Sequence, residues 1–160
     1  MTNRLDLPGI TWRRVSQKYV VSEFIGLFGT TVILAGATAP LYLLGWHLAP
    51  FATAAAVGFM LLFAAFTPRR VRAIGYQLRE DDLVFRRGIL YQRFVAVPYG
   101  RMQLIDINRG PLSRALGLSD LRFVTAAATT ALTIPGLAQA DADDLRDRLV
   151  ELAESRRAGL

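Results

Sequence analysis

Cysteine does not occur in these 160 residues, which excludes disulfides, thiolate nucleophiles and zinc–sulfur sites. Histidine occurs once, at His47, so a multi-histidine metal centre is excluded as well. No glycine-rich phosphate loop or dinucleotide fingerprint opens a helical stretch. No serine sits in a nucleophile elbow. The carboxylate pairs Asp81-Asp82 and Asp143-Asp144 read as a polar turn and a helix start rather than as metal ligands. No catalytic residue, cofactor, metal or nucleic-acid partner is therefore expected. Charge is missing in a more telling way, with none over the 21 residues from Phe24 to Leu44 and none over the 19 from Leu48 to Phe66.

At about 1.5 Å per residue, runs of this length match a hydrocarbon core of about 30 Å. In lipid a backbone must satisfy its own hydrogen bonds, so both runs are expected to be helices, spanning 24–44 and 48–66. The first run is too long, and begins too late, for a secretory leader. Only Gly45-Trp46-His47 joins the two, which makes them antiparallel neighbours. Pro40 leaves the Gly36 carbonyl without its helical donor and should kink the first span. Small residues recur as Ala35-x-x-x-Ala39 and Ala54-x-x-x-Gly58, a spacing that lets backbones approach closely.

The net charge of +6 is unevenly placed. Residues 1–72 carry seven basic residues against two acidic ones, and residues 73–160 carry twelve against eleven. Arg4, Arg13, Arg14 and Lys18 precede the first span, and Arg69, Arg70 and Arg72 follow the second. The connection has no basic residue. By the positive-inside rule both termini and everything after the hairpin are expected in the cytoplasm. Trp12 and Tyr19 fall at the inner interface, Tyr42 and Trp46 at the outer one. Glu23, at the boundary, is expected to pair with Lys18 or to belong to a transport path.

After Phe66, Thr67-Pro68-Arg69-Arg70 is expected to end the second helix, and the pattern then switches to a period of two. Strands are expected at Ile74–Leu78, Leu83–Arg87, Tyr91–Val97, Gln103–Arg109, Leu121–Ala126 and Ala131–Pro135, with a helical piece at Leu112–Leu116. Glu80-Asp81-Asp82 and Gly88 supply turns. The last element is helical, with Ala138, Ala142, Leu145, Leu149 and Leu152 on one face. Asp141 is expected to cap its start, and Arg156, Arg157 and Gly159 suit its end. The fold class is α+β: a membrane hairpin over 24–66, preceded by a segment 1–23, then a β-barrel or sandwich over 73–160 capped by a helix.

The order Glu-Asp-Asp, Val84-Phe85-Arg86-Arg87-Gly88, Val97-Pro98, Arg101-Met102-Gln103, Ile105-Asp106-Ile107, Gly110-Pro111-Leu112, Leu116-Gly117 and Ile134-Pro135-Gly136 resembles the bacterial pleckstrin-homology-like (PH-like) domain of YdbS-type membrane proteins. Trp12-Arg13-Arg14-Val15 and the hairpin extend the resemblance over nearly the whole chain. It implies seven strands and a capping helix, in a bacterial cytoplasmic-membrane protein without catalytic activity. Six strands are clear, so one is expected to be split within Ala96–Arg109 or Thr125–Thr133. The resemblance also implies assembly with another membrane protein carrying similar domains, or self-association. In lipid-binding PH domains the loop between the first two strands is basic, and Glu80-Asp81-Asp82 at that place would repel an anionic headgroup. The alternative is recognition of anionic lipid, or of a lipid-linked envelope precursor, by Arg86, Arg87 and Arg93 around the Gly88 turn. Those arginines equally suit a charged strand edge that resists pairing.

Overall fold

The computed structural model describes residues 11–125 and 132–158. The strand ends expected at Ala126 and Ala131, the Gly159 stop and the basic residue Arg4 lie outside that range.

Two rods of helix form the hairpin. The first comprises α1 (Lys18–Ala37) and α2 (Ala39–Leu43), and the second is α3 (Ala49–Arg72). The 26-residue first rod and the 24-residue second are long and apolar enough to cross a bilayer. At 1.5 Å per residue they reach about 39 and 36 Å, beyond the roughly 30 Å core, so each begins or ends outside it. Pro40 breaks the first rod at Thr38, so that α2 starts afresh with the proline in its first turn, where no N–H is needed. Thr53 Oγ1 bonds the Thr38 hydroxyl at 2.9 Å and the Tyr42 hydroxyl at 3.0 Å, joining the rods near the turn. Glu23 and Arg70 join them at the other end. Of the small residues spaced four apart, Ala39, Ala54 and Gly58 are exposed, and a Cβ built on Gly58 meets nothing within 4 Å.

The expected helix end at Thr67-Pro68 is corrected, because α3 runs through Pro68 to Arg72. Thr67 Oγ1 donates to the Phe63 carbonyl at 2.9 Å, while the carbonyl that Pro68 leaves without its helical donor is that of Ala64. Beyond it Val71 and Ile74 are buried in the domain core, and that burial holds the last turns in line.

Seven antiparallel strands follow the implied pattern in two sheets. One has the order β1-β2-β3-β4, the other β5-β6-β7. Their ranges are β1 Arg13–Arg14, β2 Gly75–Leu78, β3 Asp82–Arg87, β4 Arg93–Pro98, β5 Met102–Asn108, β6 Leu118–Thr125 and β7 Leu132–Ala138. Among the described residues the seventh strand does not come from splitting 96–109, and most of 125–133 lies outside them. It is β1, from before the hairpin, pairing Arg13 with Tyr76 and Arg14 with Gly75. The membrane hairpin is thus an insertion between the first and second strands.

Inward positions alternate as a half-buried sheet requires. Tyr76, Leu83, Phe85 and Val97 from one sheet meet Leu121, Phe123 and Ile134 from the other. A short helix α4 (Pro111–Ala115) links β5 to β6, and α5 (Gln139–Ala158) closes the structure. Ala142, Leu145, Leu149 and Ala153 of α5 are buried and Leu152 is half-buried. Ala138 belongs to β7 instead, and Asp141 lies inside the first turn of α5 rather than capping it. Arg109 fixes that turn by donating to Ser119 Oγ and to both oxygens of Asp143.

The core also takes in Val15 and Val71, with Tyr19 and Val20 packed against it. The sheet and core of the domain expected over 73–160 therefore include residues from both ends of the hairpin.

Candidate membrane-facing site

Gly88 ends β3 at φ +107°, and a Cβ there would fall 2.0 Å from the Tyr91 carbonyl oxygen, so only glycine closes this turn. The chain then crosses Ile89, Leu90 and Tyr91 before β4 begins at Arg93. Tyr91, expected to open the strand, stands in the loop instead. Leu90 and Tyr91 are each 92% exposed, which is costly for apolar side chains in water.

The neighbours of this tip supply the reason. With Leu62, Phe63, Phe66, Thr67 and Arg70 of α3, and with Arg87 and Gly88, the tip encloses a groove of about 530 Å³. Phe63 and Phe66 belong to the uncharged membrane run, and Arg70 lies one turn beyond it. The Gly88–Tyr91 tip thus packs beside the junction between the uncharged run and the basic end of α3, and the groove is lined by apolar side chains together with Arg70 and Arg87.

The three arginines expected to act together divide between two faces. Arg87 lies directly opposite Arg93 across β3 and β4, and Arg86 lies opposite Phe94. Arg86 is turned away, with its guanidinium carbon 4.4 Å from the Trp12 ring centroid in a cation–π contact. Phe94 meets the same ring edge-on at 6.2 Å. Arg87 and Arg93 are exposed, and neither forms a hydrogen bond or ion pair with another described residue. Like charges directly opposite on a sheet repel.

Of the flanking basic residues, Arg13 and Arg14 form β1, while Lys18 opens α1, where its N–H donates to Ser16 Oγ at 3.3 Å. Arg69, Arg70 and Arg72 occupy the last turn of α3. Arg70 pairs with Glu23, the partner that sequence proximity assigned to Lys18. Arg70 and Glu23 were expected only as a flanking cation and a boundary carboxylate, not as partners, and the tip Ile89-Leu90-Tyr91 escaped the sequence reading. The available signal was an apolar triplet between arginines in a turn that should be polar.

The entry of α1 fixes how this end meets the membrane. Ser16 N–H donates to the Gly136 carbonyl at 2.9 Å, and Gly136 N–H donates to Asp120 Oδ1 at 2.8 Å. Gly136 has φ +65°, and a Cβ on it would lie 2.2 Å from Cγ of Tyr19, so the ring rests directly on its backbone.

The acidic turn lies at the other end. β2 leaves the membrane end at Gly75 and β3 returns to it at Arg87, which carries Glu80-Asp81-Asp82 away from the bilayer. There Asp81 pairs with Arg156 of α5 at 2.6 Å. The Tyr99 hydroxyl donates to the Arg79 carbonyl at 2.8 Å. Burial foremost, then the Asp82 charge, pushes that hydroxyl up to about 12. With β1 counted, the connection between the first two strands is the hairpin itself. The turn expected between the first two strands therefore joins the second and third, β2 and β3.

Two transmembrane helices inserted into a two-sheet, helix-capped fold define a membrane-anchored PH-like module. The chain matches the family model described as the bacterial PH domain over residues 21–153 and belongs to that family. Among curated proteins it is 36% identical over 78 residues to the UPF0699 transmembrane protein YdbS of Bacillus subtilis (strain 168). That match covers 49% of this chain and 48% of the relative, so it spans about half the length of each. No solved structure matches the chain significantly.

Proposed function

We propose that this chain is a non-catalytic module that recognises an anionic amphiphile, a phospholipid or a lipid-linked precursor, at the cytoplasmic boundary of the membrane. The observation that carries this reading is the groove. Phe63, Phe66, Ile89 and Leu90 line it beside the hydrocarbon, and Arg70 and Arg87 line it beside the headgroups. An acyl chain fits the first set, and a phosphate fits the planar fork of the second. Seating β1 before the hairpin and β2 after it holds the domain by two strands, so the Gly88–Tyr91 tip keeps one face to the bilayer. Both termini are cytoplasmic in this reading, on the strength of the flanking arginines.

A second reading, assembly with another membrane protein or a second copy, rests on strands β4 and β5. Each is the edge of its sheet, and Phe94 and Leu104 on them are 36% and 56% exposed. Unpaired edges of this kind accept a strand from a partner.

The test uses the full chain in nanodiscs of neutral phosphatidylcholine, titrated with short-chain phosphatidylglycerol, short-chain phosphatidylcholine or inorganic phosphate. Selective binding of the phosphatidylglycerol is expected. It should weaken steeply as the Debye length falls from about 10 Å at 0.1 M salt to about 3 Å at 1 M. Arg87→Gln with Arg93→Gln should abolish it. Binding indifferent to headgroup, salt and both substitutions would sink the amphiphile reading and leave the strand edges as the working surface. Equal affinity for inorganic phosphate would remove the lipid from it.

A further inference from the structure

Glu23 lies half-buried on the face of α1 turned to α3, and its carboxylate accepts from the Arg70 guanidinium. Arg70 is also a wall of the groove. The one cation that the membrane helices lend to this site is therefore already held by an anion of the same chain. Arg87, which lines the groove from the domain side, has no such partner among the described residues, nor has Arg93 opposite it on β4. A carboxylate and a phosphate make the same demand of a guanidinium, two acceptor oxygens in the plane of its fork.

Building on the amphiphile reading, we infer that Glu23 is an internal competitor for the groove: its carboxylate holds Arg70 in place of a headgroup phosphate, which must displace it to engage both arginines that line the groove. With Glu23 in place the groove carries two positive charges and one negative. Displacement exposes the full set to the ligand. Glu23 stands one turn beyond Tyr19, whose ring rests on Gly136 of β7. Release of the Glu23–Arg70 pair thus also loosens the rods where they enter the domain, which links occupancy of the groove to the hairpin.

A purely structural ion pair predicts the opposite response to losing the carboxylate. If the pair only pins α1 to α3, removing it loosens the groove and weakens binding. If Glu23 competes, removing it tightens binding, and only while Arg70 is present. Measured pairs at partly exposed sites are worth up to about 1 kcal/mol, and tenfold in affinity is 1.4 kcal/mol, so the gain expected is about fivefold.

The experiment is a double-mutant cycle on the full chain in phosphatidylcholine nanodiscs titrated with short-chain phosphatidylglycerol. Glu23→Gln, which keeps the side chain's shape, is expected to lower Kd about fivefold. In the Arg70→Gln background the same change is expected to do nothing. Circular dichroism and thermal unfolding of each variant confirm that the fold is retained. Unchanged or weaker binding by Glu23→Gln overturns the competitor assignment. If Arg87→Gln with Arg93→Gln still abolishes binding in that case, the amphiphile site itself stands. Absence of binding by both the wild type and Glu23→Gln overturns both.

Discussion

Replacing Gly136 with alanine tests whether the first turn of α1 is built into the β domain. Gly136 sits at φ +65°, where an L side chain costs roughly 1–2 kcal/mol. The added methyl would also fall 2.2 Å from Cγ and 2.5 Å from Cβ of Tyr19, so the ring must leave its seat. Forcing a carbon into a packed contact adds about 1–3 kcal/mol. Together these make about 2–5 kcal/mol, a large part of the about 5–15 kcal/mol that holds a domain. The second arm is Tyr19→Gly, which removes every Tyr19 atom that the methyl would meet. In that background only the backbone cost remains, and Gly136→Ala should lose no more than about 2 kcal/mol. The coupling, about 1–3 kcal/mol, is measured by urea unfolding of the full chain in mild detergent, followed by the fluorescence of Trp12. Equal losses in the two backgrounds would refute the contact, and with it the anchoring of the domain through α1.

Two other outcomes follow from the same architecture. Leu149→Asp places a carboxylate where Leu149 is fully buried among the strands, forfeiting about 1.5–3 kcal/mol of burial and adding an unpaired charge; the domain should unfold, and unchanged thermal stability would contradict the role of α5. Single cysteines at His47 and Ser155, probed in intact cells with a membrane-impermeant thiol reagent, should react only at position 47, and the reverse pattern would invert the orientation.

The difference between what the chain spells out and what its folding adds is clearest at the two ends of the hairpin. Length and lack of charge alone determined the spans, because a bilayer of fixed thickness imposes a simple rule on any run of about 20 residues. Alternation determined β2, β3 and the strands after them, and the helical spacing of Ala142, Leu145 and Leu149 determined the closing helix. These are local patterns, repeated often enough to be read. Strand β1 was invisible, because two residues carry no period and its partner lies about 60 residues away, beyond the hairpin. That non-local pairing made the Glu80–Asp82 turn the connection between the second and third strands instead of the first and second. Arg86 and Arg87 are neighbours in sequence, yet strand geometry sends one to Trp12 and the other to the groove. Arg70 and Glu23, 47 positions apart, meet only because the rods run antiparallel. The sequence determined which segments enter the membrane and which form the sheets. Tertiary structure alone decided which charges face the bilayer and which neutralise one another, because both depend on contacts between residues that no local pattern links.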